Sequence, residues 1–440
     1  MESRRSFIKK SVLTVGGLAL GLSAKSYSRI VGANDRIHVA FVGCGRRVGA
    51  YYQTLKASVN NVQLAYICDV KRSQREKVAG ELSTLTYKPV LEEDIRKVLN
   101  DKEVNAIFNA TPDHWHAPAT WMAMEAGKHV YLEKPATHNP REGEILLQLH
   151  KKYNKIIQVG TQQRSSDHTI EIIAEIHKGT IGNPYKALAF YTNQRGRVPN
   201  PVKANVPEGL NWDLFQGPAT REEYRHDTWD YNWHWYGWKW GTAETGNNAT
   251  HELDVARWAL QVDYPERVYV EASKQHFADD GWEMYDTMYA SFFFPKNKTI
   301  HWDGKSRNGI NTYGAGRGTI IYGTEGSVFV DRERYKLFDR EGKLIREKTA
   351  GGSEAGNTLG GGGDMTDFHI INFYDAIRGK AQVKAPLIEG VKSTLLCHLA
   401  NMSYRTNKTF ILDPVTGQTK DAEIKKLWSR DYEKGWEPKV

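Results

Sequence analysis

The chain has 440 residues, 40% hydrophobic and 25% charged, which is enough for two domains with cores of their own and excludes a disordered or low-complexity chain. Its three cysteines, Cys44, Cys68 and Cys397, form no disulfide framework and no zinc-type cluster. Of the formal net charge of +8, residues 1–33 carry five, from six Lys/Arg and one acid; residues 34–440 then hold +3, too little to argue for a nucleic-acid partner.

Residues 1–33 have the composition of a targeting segment. Ser3-Arg4-Arg5-Ser6-Phe7-Ile8-Lys9 fits the twin-arginine export pattern, with Ile8 where leucine is usual. The apolar stretch Val12–Leu22 is too short to span a bilayer and suits a signal core, so the expectation is export to the periplasm and no stable membrane span.

Residues 34–156 alternate strand-like and helix-like segments. Apolar runs of strand length fall at 37–42, 63–68, 105–110, 129–132 and 155–159, with helical spacing at 91–99, 115–125 and 141–153. That alternation predicts a doubly wound parallel sheet of the Rossmann type. Its first unit ends in Val42-Gly43-Cys44-Gly45-Arg46-Arg47-Val48-Gly49, and Asp69 closes the next strand twenty residues after Gly49. Glycines so placed let the backbone approach a pyrophosphate, and the acid takes ribose hydroxyls. The third glycine of the usual fingerprint falls on Val48, with Gly49 one residue late. Asp69 favours NAD over NADP by repelling a 2′-phosphate, although Lys71 and Arg72 stand close to it in sequence.

Two further stretches reach the same carboxyl edge. Thr111-Pro112-Asp113-His114-Trp115-His116 ends one strand and opens a helix, with capping as the bland alternative. Val130-Tyr131-Leu132-Glu133-Lys134-Pro135 delivers Glu133 and Lys134, and burial beside an oxidised nicotinamide would lower the Lys134 pKa.

Residues 157–440 change character. Longer strands are expected at 185–194, 267–276, 284–295, 298–303, 317–323 and 327–331, several alternating polar and apolar residues. These predict an open-faced mixed α/β sheet domain, closed by helices at 364–378 and 390–405. Residues 350–363, rich in glycine and ending in Gly360–Gly363, are expected to form a mobile loop. Seven aromatics from Trp229 to Trp240, Trp238 among them, either stack on sugar C–H faces or form core. His251, Asp254 and Trp258 share a helix face, and Val255 stands where H-E-x-x-H needs its second histidine, so no metal is expected.

Together the Glu133-Lys134-Pro135 strand end, Thr111-Pro112-x-x-x-His116 and His251-x-x-Asp254-x-Ala256-Arg257 resemble the glucose–fructose oxidoreductase/inositol dehydrogenase/rhizopine-catabolism (Gfo/Idh/MocA) family. That resemblance implies NAD-dependent oxidation or reduction of a sugar, glycoside or cyclic polyol. It implies Lys134 and His251 as catalytic residues, with Arg46, Arg47, His116 and Gln162 along the cofactor. Asn247 stands where the family commonly has an acid, and an amide cannot take a proton. Arg164, Tyr191, Trp238, Asn247 and Asp254 are the substrate candidates. The family's oxidation–elimination–addition–reduction glycosidases and a non-catalytic sugar binder are the alternatives. A homo-oligomer formed through the C-terminal sheet is implied as well. Export further implies a tightly held cofactor, since no dependable NAD pool exists outside the cytoplasm.

Overall fold

The computed structural model describes residues 35–228, 230–350 and 364–438. Residues 1–33, expected to be an export segment, Trp229 and residues 351–363 of the expected glycine-rich loop therefore lie outside the described residues. No helix among the described residues is long and apolar enough to cross a membrane.

Six parallel strands build the first sheet: β1 (Ile37–Val42), β2 (Val62–Cys68), β3 (Val90–Glu92), β4 (Ala106–Asn109), β5 (His129–Leu132) and β6 (Ile157–Val159). Their order is β3-β2-β1-β4-β5-β6, so the winding reverses between β1 and β4. β1, β4 and β5 are almost wholly buried, as near-continuous apolar runs in a parallel sheet must be. Val39 and Phe41 face one core layer and Ala40 and Val42 the other, following the two-residue strand period. Register aligns Val42 with both Cys68 and Asn109, Asn109 with Leu132, and Leu132 with Val159. Gly43, Asp69, Glu133 and Gly160 thus leave the sheet at one carboxyl edge, beside the point where winding reverses; ligands of doubly wound sheets bind at such an edge.

The segment read as one helix at 91–99 is instead the short strand β3 followed by a helix, Ile95–Asn100. Asp94 separates them, its side chain accepting the Arg96 N–H as a helix cap. The parallel sheet also runs past the boundary expected at 156, because β6 hydrogen-bonds to β5 and completes that sheet. Helix α1 (Asp113–Glu125) is buried for most of its length and contains Pro118. Proline cannot donate to the carbonyl four residues back, and that carbonyl, His114 O, accepts from Arg430 Nη2 at 2.6 Å instead. Helix α2 (Pro140–Tyr153) starts under an Asn139 cap with proline at its first position.

The second sheet runs β14-β13-β12-β11-β7-β10-β9-β8-β15. β7 (Pro184–Thr192) pairs parallel with β10 (Lys298–Lys305) and antiparallel with β11 (Arg317–Gly323), which makes the sheet mixed. β8 (Arg267–Ser273), β9 (Thr287–Phe294) and β12 (Gly326–Val330) extend it. β13 (Arg334–Asp339), β14 (Leu344–Thr349) and β15 (Phe410–Ile411) were not foreseen. β14 is exposed throughout and reads Leu-Ile-Arg-Glu-Lys-Thr, so it has no apolar period and presents the charged edge that discourages strand-to-strand aggregation. Helix α3 (Thr250–Leu260) and helix α5 (Leu387–Thr406) cover one face, packing Leu253, Ala256, Leu396 and Leu399 against Ala187, Ile300 and Trp302. The other face keeps Tyr185, Tyr269 and Tyr289 exposed. Helix α4 (Met365–Ile377) returns to the first sheet, where Phe373 meets Phe108 and Tyr131 edge-on.

Candidate functional site

At the end of β1 the chain turns through Gly43, whose φ of +85° places it in the left-handed region. A Cβ there would lie 2.6 Å from the Ala110 carbonyl carbon and oxygen, so β1 and β4 approach too closely for a side chain. Gly45 heads the 3₁₀ turn Arg46–Tyr51, and a Cβ at Gly45 would meet nothing within 4 Å. Asp69 ties the loop down. Its Oδ2 accepts the Cys44 N–H at 2.7 Å and its Oδ1 the Lys71 N–H at 2.8 Å. Burial pushes the Asp69 carboxyl up and these two N–H groups oppose it. The Lys71 ammonium donates to Glu208 O at 2.9 Å.

The next strand ends supply the floor. Thr111 Oγ1 donates to Asn109 Oδ1 at 2.7 Å, and Pro112 caps α1. Buried Asp113 accepts from Thr242 N at 3.0 Å and Thr242 Oγ1 at 2.6 Å, tying α1 to the segment that leads into α3. His116 sits between two carbonyls, Nδ1 2.6 Å from Pro135 O and Nε2 2.8 Å from Thr111 O. Glu133 accepts from Arg47 Nε at 2.6 Å and from Tyr51 OH at 2.8 Å. Burial opposes its ionisation, but the Arg47 guanidinium, the Lys134 ammonium and the Tyr51 hydroxyl together hold the carboxyl below its ordinary range. Arg47 and Glu133 therefore brace the glycine loop against β5. Gln162 follows β6, and its Oε1 is buried with no hydrogen-bond partner among the described residues.

Lys134 Nζ donates to Asn247 O at 2.5 Å. Burial lowers the Lys134 pKa, with Glu133 and Asp113 opposing and Arg47 and Arg317 reinforcing. The carbonyl it meets belongs to a π-helical turn, Thr245–Ala249, that runs into α3. Such turns cluster at functional sites. The Asn247 amide donates to Glu244 Oε1 at 2.8 Å and to Tyr231 OH at 3.2 Å. One turn on, His251 is 7% exposed and faces the same cavity. Burial pushes its pKa well below 6.5, and Arg332, Lys134, Arg317 and Arg47 add to the depression, so the imidazole is neutral near pH 7.

One cavity of about 480 Å³ joins these groups. Gly43, Gly45, Arg46, Arg47 and Asp69 line it. Thr111, Pro112, His116, Glu133, Gln162, Lys134, Tyr191, Asn247 and His251 line it as well.

Three expected substrate residues lie elsewhere. Arg164 and Asp254 bind each other, Nε to Oδ2 at 2.7 Å and Nη2 to Oδ1 at 2.9 Å, with Ser393 Oγ donating to Asp254 at 2.7 Å. This buried pair staples the turn after β6 to α3 and α5. Three residues along α3 is not one full turn, so Asp254 is rotated away from His251 toward α5. Trp238 lies under Arg405, whose Cζ is 4.9 Å from the ring centroid, and it lines a separate cavity with His398 and Met402.

The aromatic segment divides its duties. Trp235 stacks on Trp282 at 3.9 Å and Trp240 packs on Trp212, both in core, whereas Tyr231 and Trp233 line the site cavity. Arg195, Arg317 and Arg332 also line it and were not foreseen. Arg317 is the β11 partner of Tyr191 on β7, a neighbour created by pairing and invisible in local sequence.

The Rossmann sheet, the glycine loop at its switch point and the second open-faced sheet define a dinucleotide-binding class of protein. Residues 37–161 match the Gfo/Idh/MocA oxidoreductase family model, described as the NAD-binding Rossmann fold, which supports the resemblance over that span. The chain is 24% identical over 302 residues to the uncharacterized oxidoreductase YrbE of Bacillus subtilis, covering 68% of this chain and 75% of that protein. It is 30% identical over 165 residues to scyllo-inositol 2-dehydrogenase (NAD(+)) of the same organism, covering 37% of this chain and less than half, 46%, of that relative. The fold is also that of the WlbA dehydrogenase from Bordetella pertussis, solved in complex with NADH and UDP-GlcNAcA. There the TM-score is 0.62 at 18% identity, over 86% of this chain and 99% of that one.

Proposed function

We propose that this protein is an NAD-dependent oxidoreductase of the Gfo/Idh/MocA type that acts on a CH–OH group of a sugar, glycoside or cyclic polyol. The observation that carries the reading is a single cavity in which a buried neutral imidazole, His251, and a buried ammonium, Lys134, share space with a glycine loop and a strand-end aspartate. The residues present fit the cofactor. Gly45 leaves open space at the loop, Asp69 keeps lone pairs beyond the two N–H groups it accepts, and Gln162 Oε1 is a buried acceptor in want of a donor.

When bound, NAD would supply the hydride acceptor. His251 would take the hydroxyl proton, as a neutral imidazole can and an imidazolium cannot. Lys134 would donate to the oxygen as negative charge develops on it. Asn247 would orient that hydroxyl without exchanging a proton. Such a positioned acid–base group contributes about a hundred- to ten-thousand-fold.

The scyllo-inositol relative, named for NAD(+), supports both the cofactor and the polyol class. We assign residues 1–33 to twin-arginine export into the periplasm, residues 34–156 with β6 to cofactor binding, and the remainder to substrate binding and oligomerisation through the open sheet. Cofactor retention follows from that location. Purified protein, gel-filtered without nucleotide, is expected to keep NAD(H) by mass spectrometry and to show NADH absorbance when a sugar or polyol panel is added. A cofactor-free protein that reduces no NAD with any panel member refutes the assignment.

A further inference from the structure

Trp238, His398 and Met402 belong to a second cavity, of about 220 Å³, that shares none of its lining residues with the one holding His251 and Lys134. The entry to α2 gives it His138 and Asn139, α5 gives it Asn401 and Arg405, and the C-terminal segment gives it Lys426 and Arg430. Thr242 links the two cavities: it lines the second, while Asp113, to which it donates, lines the first.

This wall has donors to spare. Asn139 is 5% exposed, and its Oδ1 is spent on the helix cap, where it accepts the Glu142 N–H at 3.1 Å. The cap fixes which end of the amide is left over: Nδ2 is buried with no hydrogen-bond partner among the described residues. Both His138 ring nitrogens are buried and equally without a partner. Arg430 Nη2 donates to His114 O at 2.6 Å and pairs with Glu142 at 2.8 Å, whereas its Nε and Nη1 are buried and bond to nothing. Asn401, on the same wall, has its Oδ1 engaged by Tyr285 OH at 2.7 Å and Thr245 Oγ1 at 2.9 Å.

No aspartate or glutamate lines this cavity among the described residues. Glu142 answers the charge of Arg430 from behind the wall, and burial lowers His398 to about 3, so neither basic group supplies net charge. Burial first, and then the Arg430 guanidinium, hold His138 well below 6.5 and leave it neutral. Positive charge comes to the mouth from Lys426 and from Arg405, which lies over the Trp238 ring; both are exposed. Buried donors without acceptors are costly. The volume holds several waters or one small anion. Water brings donors of its own to a wall that already has too many, whereas an oxyanion brings acceptors alone.

We infer that this cavity is a second ligand site and that it takes the oxyanion group, phosphate or carboxylate, of a small molecule. Asn139, His138 and Arg430 donate to its oxygens, Arg405 and Lys426 draw it in, and Trp238 offers a flat apolar face to the remainder.

The test titrates the full chain with inorganic phosphate and, separately, with acetate, at an ionic strength held constant with sodium chloride. Saturating NAD keeps the glycine loop filled. Calorimetry reads binding, and thermal unfolding reads the stability gained. One anion per chain is expected, and the tighter of the two identifies the group. Two variants locate it: Arg405→Gln with Lys426→Gln, both at exposed positions, and His138→Leu, which removes two nitrogens that have no protein partner. Each is expected to weaken anion binding by about tenfold or more, the worth of one hydrogen bond to a charged group, with NAD binding unchanged. Should His138→Leu fold poorly, the double glutamine variant decides. Anion binding that survives the variants lies elsewhere and overturns the inference. Absence of any saturable binding of phosphate or acetate also overturns it and leaves water as the occupant. A chain that binds no NAD counts against the oxidoreductase reading alone, since the variants decide the second site with or without cofactor.

Discussion

Gly43 and Gly45 stand two residues apart in one loop, yet the structure assigns them different duties, and alanine at each separates folding from cofactor binding. At Gly43 the backbone φ of +85° costs an L-residue about 1–2 kcal/mol. The added methyl would also lie 2.6 Å from the Ala110 carbonyl and 2.7 Å from the Thr111 nitrogen. These are backbone atoms at the end of β4 and cannot rotate aside, so overpacking adds about 1–3 kcal/mol. Gly43→Ala is therefore expected to lose about 2–5 kcal/mol, a large share of the roughly 5–15 kcal/mol of an ordinary domain. At Gly45 the φ is −74° and a methyl meets nothing within 4 Å, so Gly45→Ala is expected to leave stability within about 1 kcal/mol. The open space it fills is where a pyrophosphate would approach, and NAD affinity is expected to fall. Denaturant midpoints at unchanged slope give the first quantity and titration calorimetry the second. A Gly43→Ala protein within about 0.5 kcal/mol of the parent refutes the steric argument. A Gly45→Ala protein with undiminished NAD affinity refutes the loop assignment.

Lys134→Ala and His251→Ala are each expected to cut turnover by about a hundredfold or more with the fold intact by circular dichroism, and near-normal activity in either sinks the mechanism. Because His251 must be neutral to accept a proton and its pKa lies well below 6.5, kcat/KM is expected to hold as pH drops through 6.5 and to fall only further down; an acid limb at 6.5 or above contradicts its placement. Burial lowers His369 to about 4 and His398 to about 3, whereas unfolded histidine titrates near 6.5. The stability they confer is complete above that value and is lost as pH falls toward 4, about 2 kcal/mol each at pH 5, so melting curves that stay flat from pH 7 to 5 count against it. Asp254→Asn leaves buried Arg164 with only Glu389, 3.6 Å from its Nη2, and is expected to cost about 3 kcal/mol, read as a shifted denaturant midpoint; an unchanged midpoint shows the pair to be dispensable.

The first domain was largely legible because its determinants are local. A buried parallel strand needs a continuous apolar run, and β1, β4 and β5 each supply one next to the loop that follows it. β3 escaped because three half-exposed residues carry too little pattern to separate strand from helix, and Leu91 suited either. β14 escaped because an edge strand that faces water on both sides is charged, and charge has no period. The return of α4 to the first sheet could not be read at all, since nothing in Met365–Ile377 says which apolar surface it will cover.

The site divides along the same line. Its cofactor end lies on consecutive strand ends of one sheet, so a motif of a dozen residues already holds Gly43, Gly45 and the way to Asp69. Its substrate end is assembled by strand order. Tyr191 and Arg317 are 126 positions apart and become neighbours only because β11 pairs with β7. Arg164 and Asp254 show the converse: each sits next to a recognisable motif, and each turns inward because its partner is the other. A buried guanidinium must find a carboxylate, and in this fold it does so across elements rather than along one. The glycine loop and Asp69 are thus legible in contiguous sequence, whereas the meeting of Tyr191 with Arg317, like that of Arg164 with Asp254, exists only once the elements have packed.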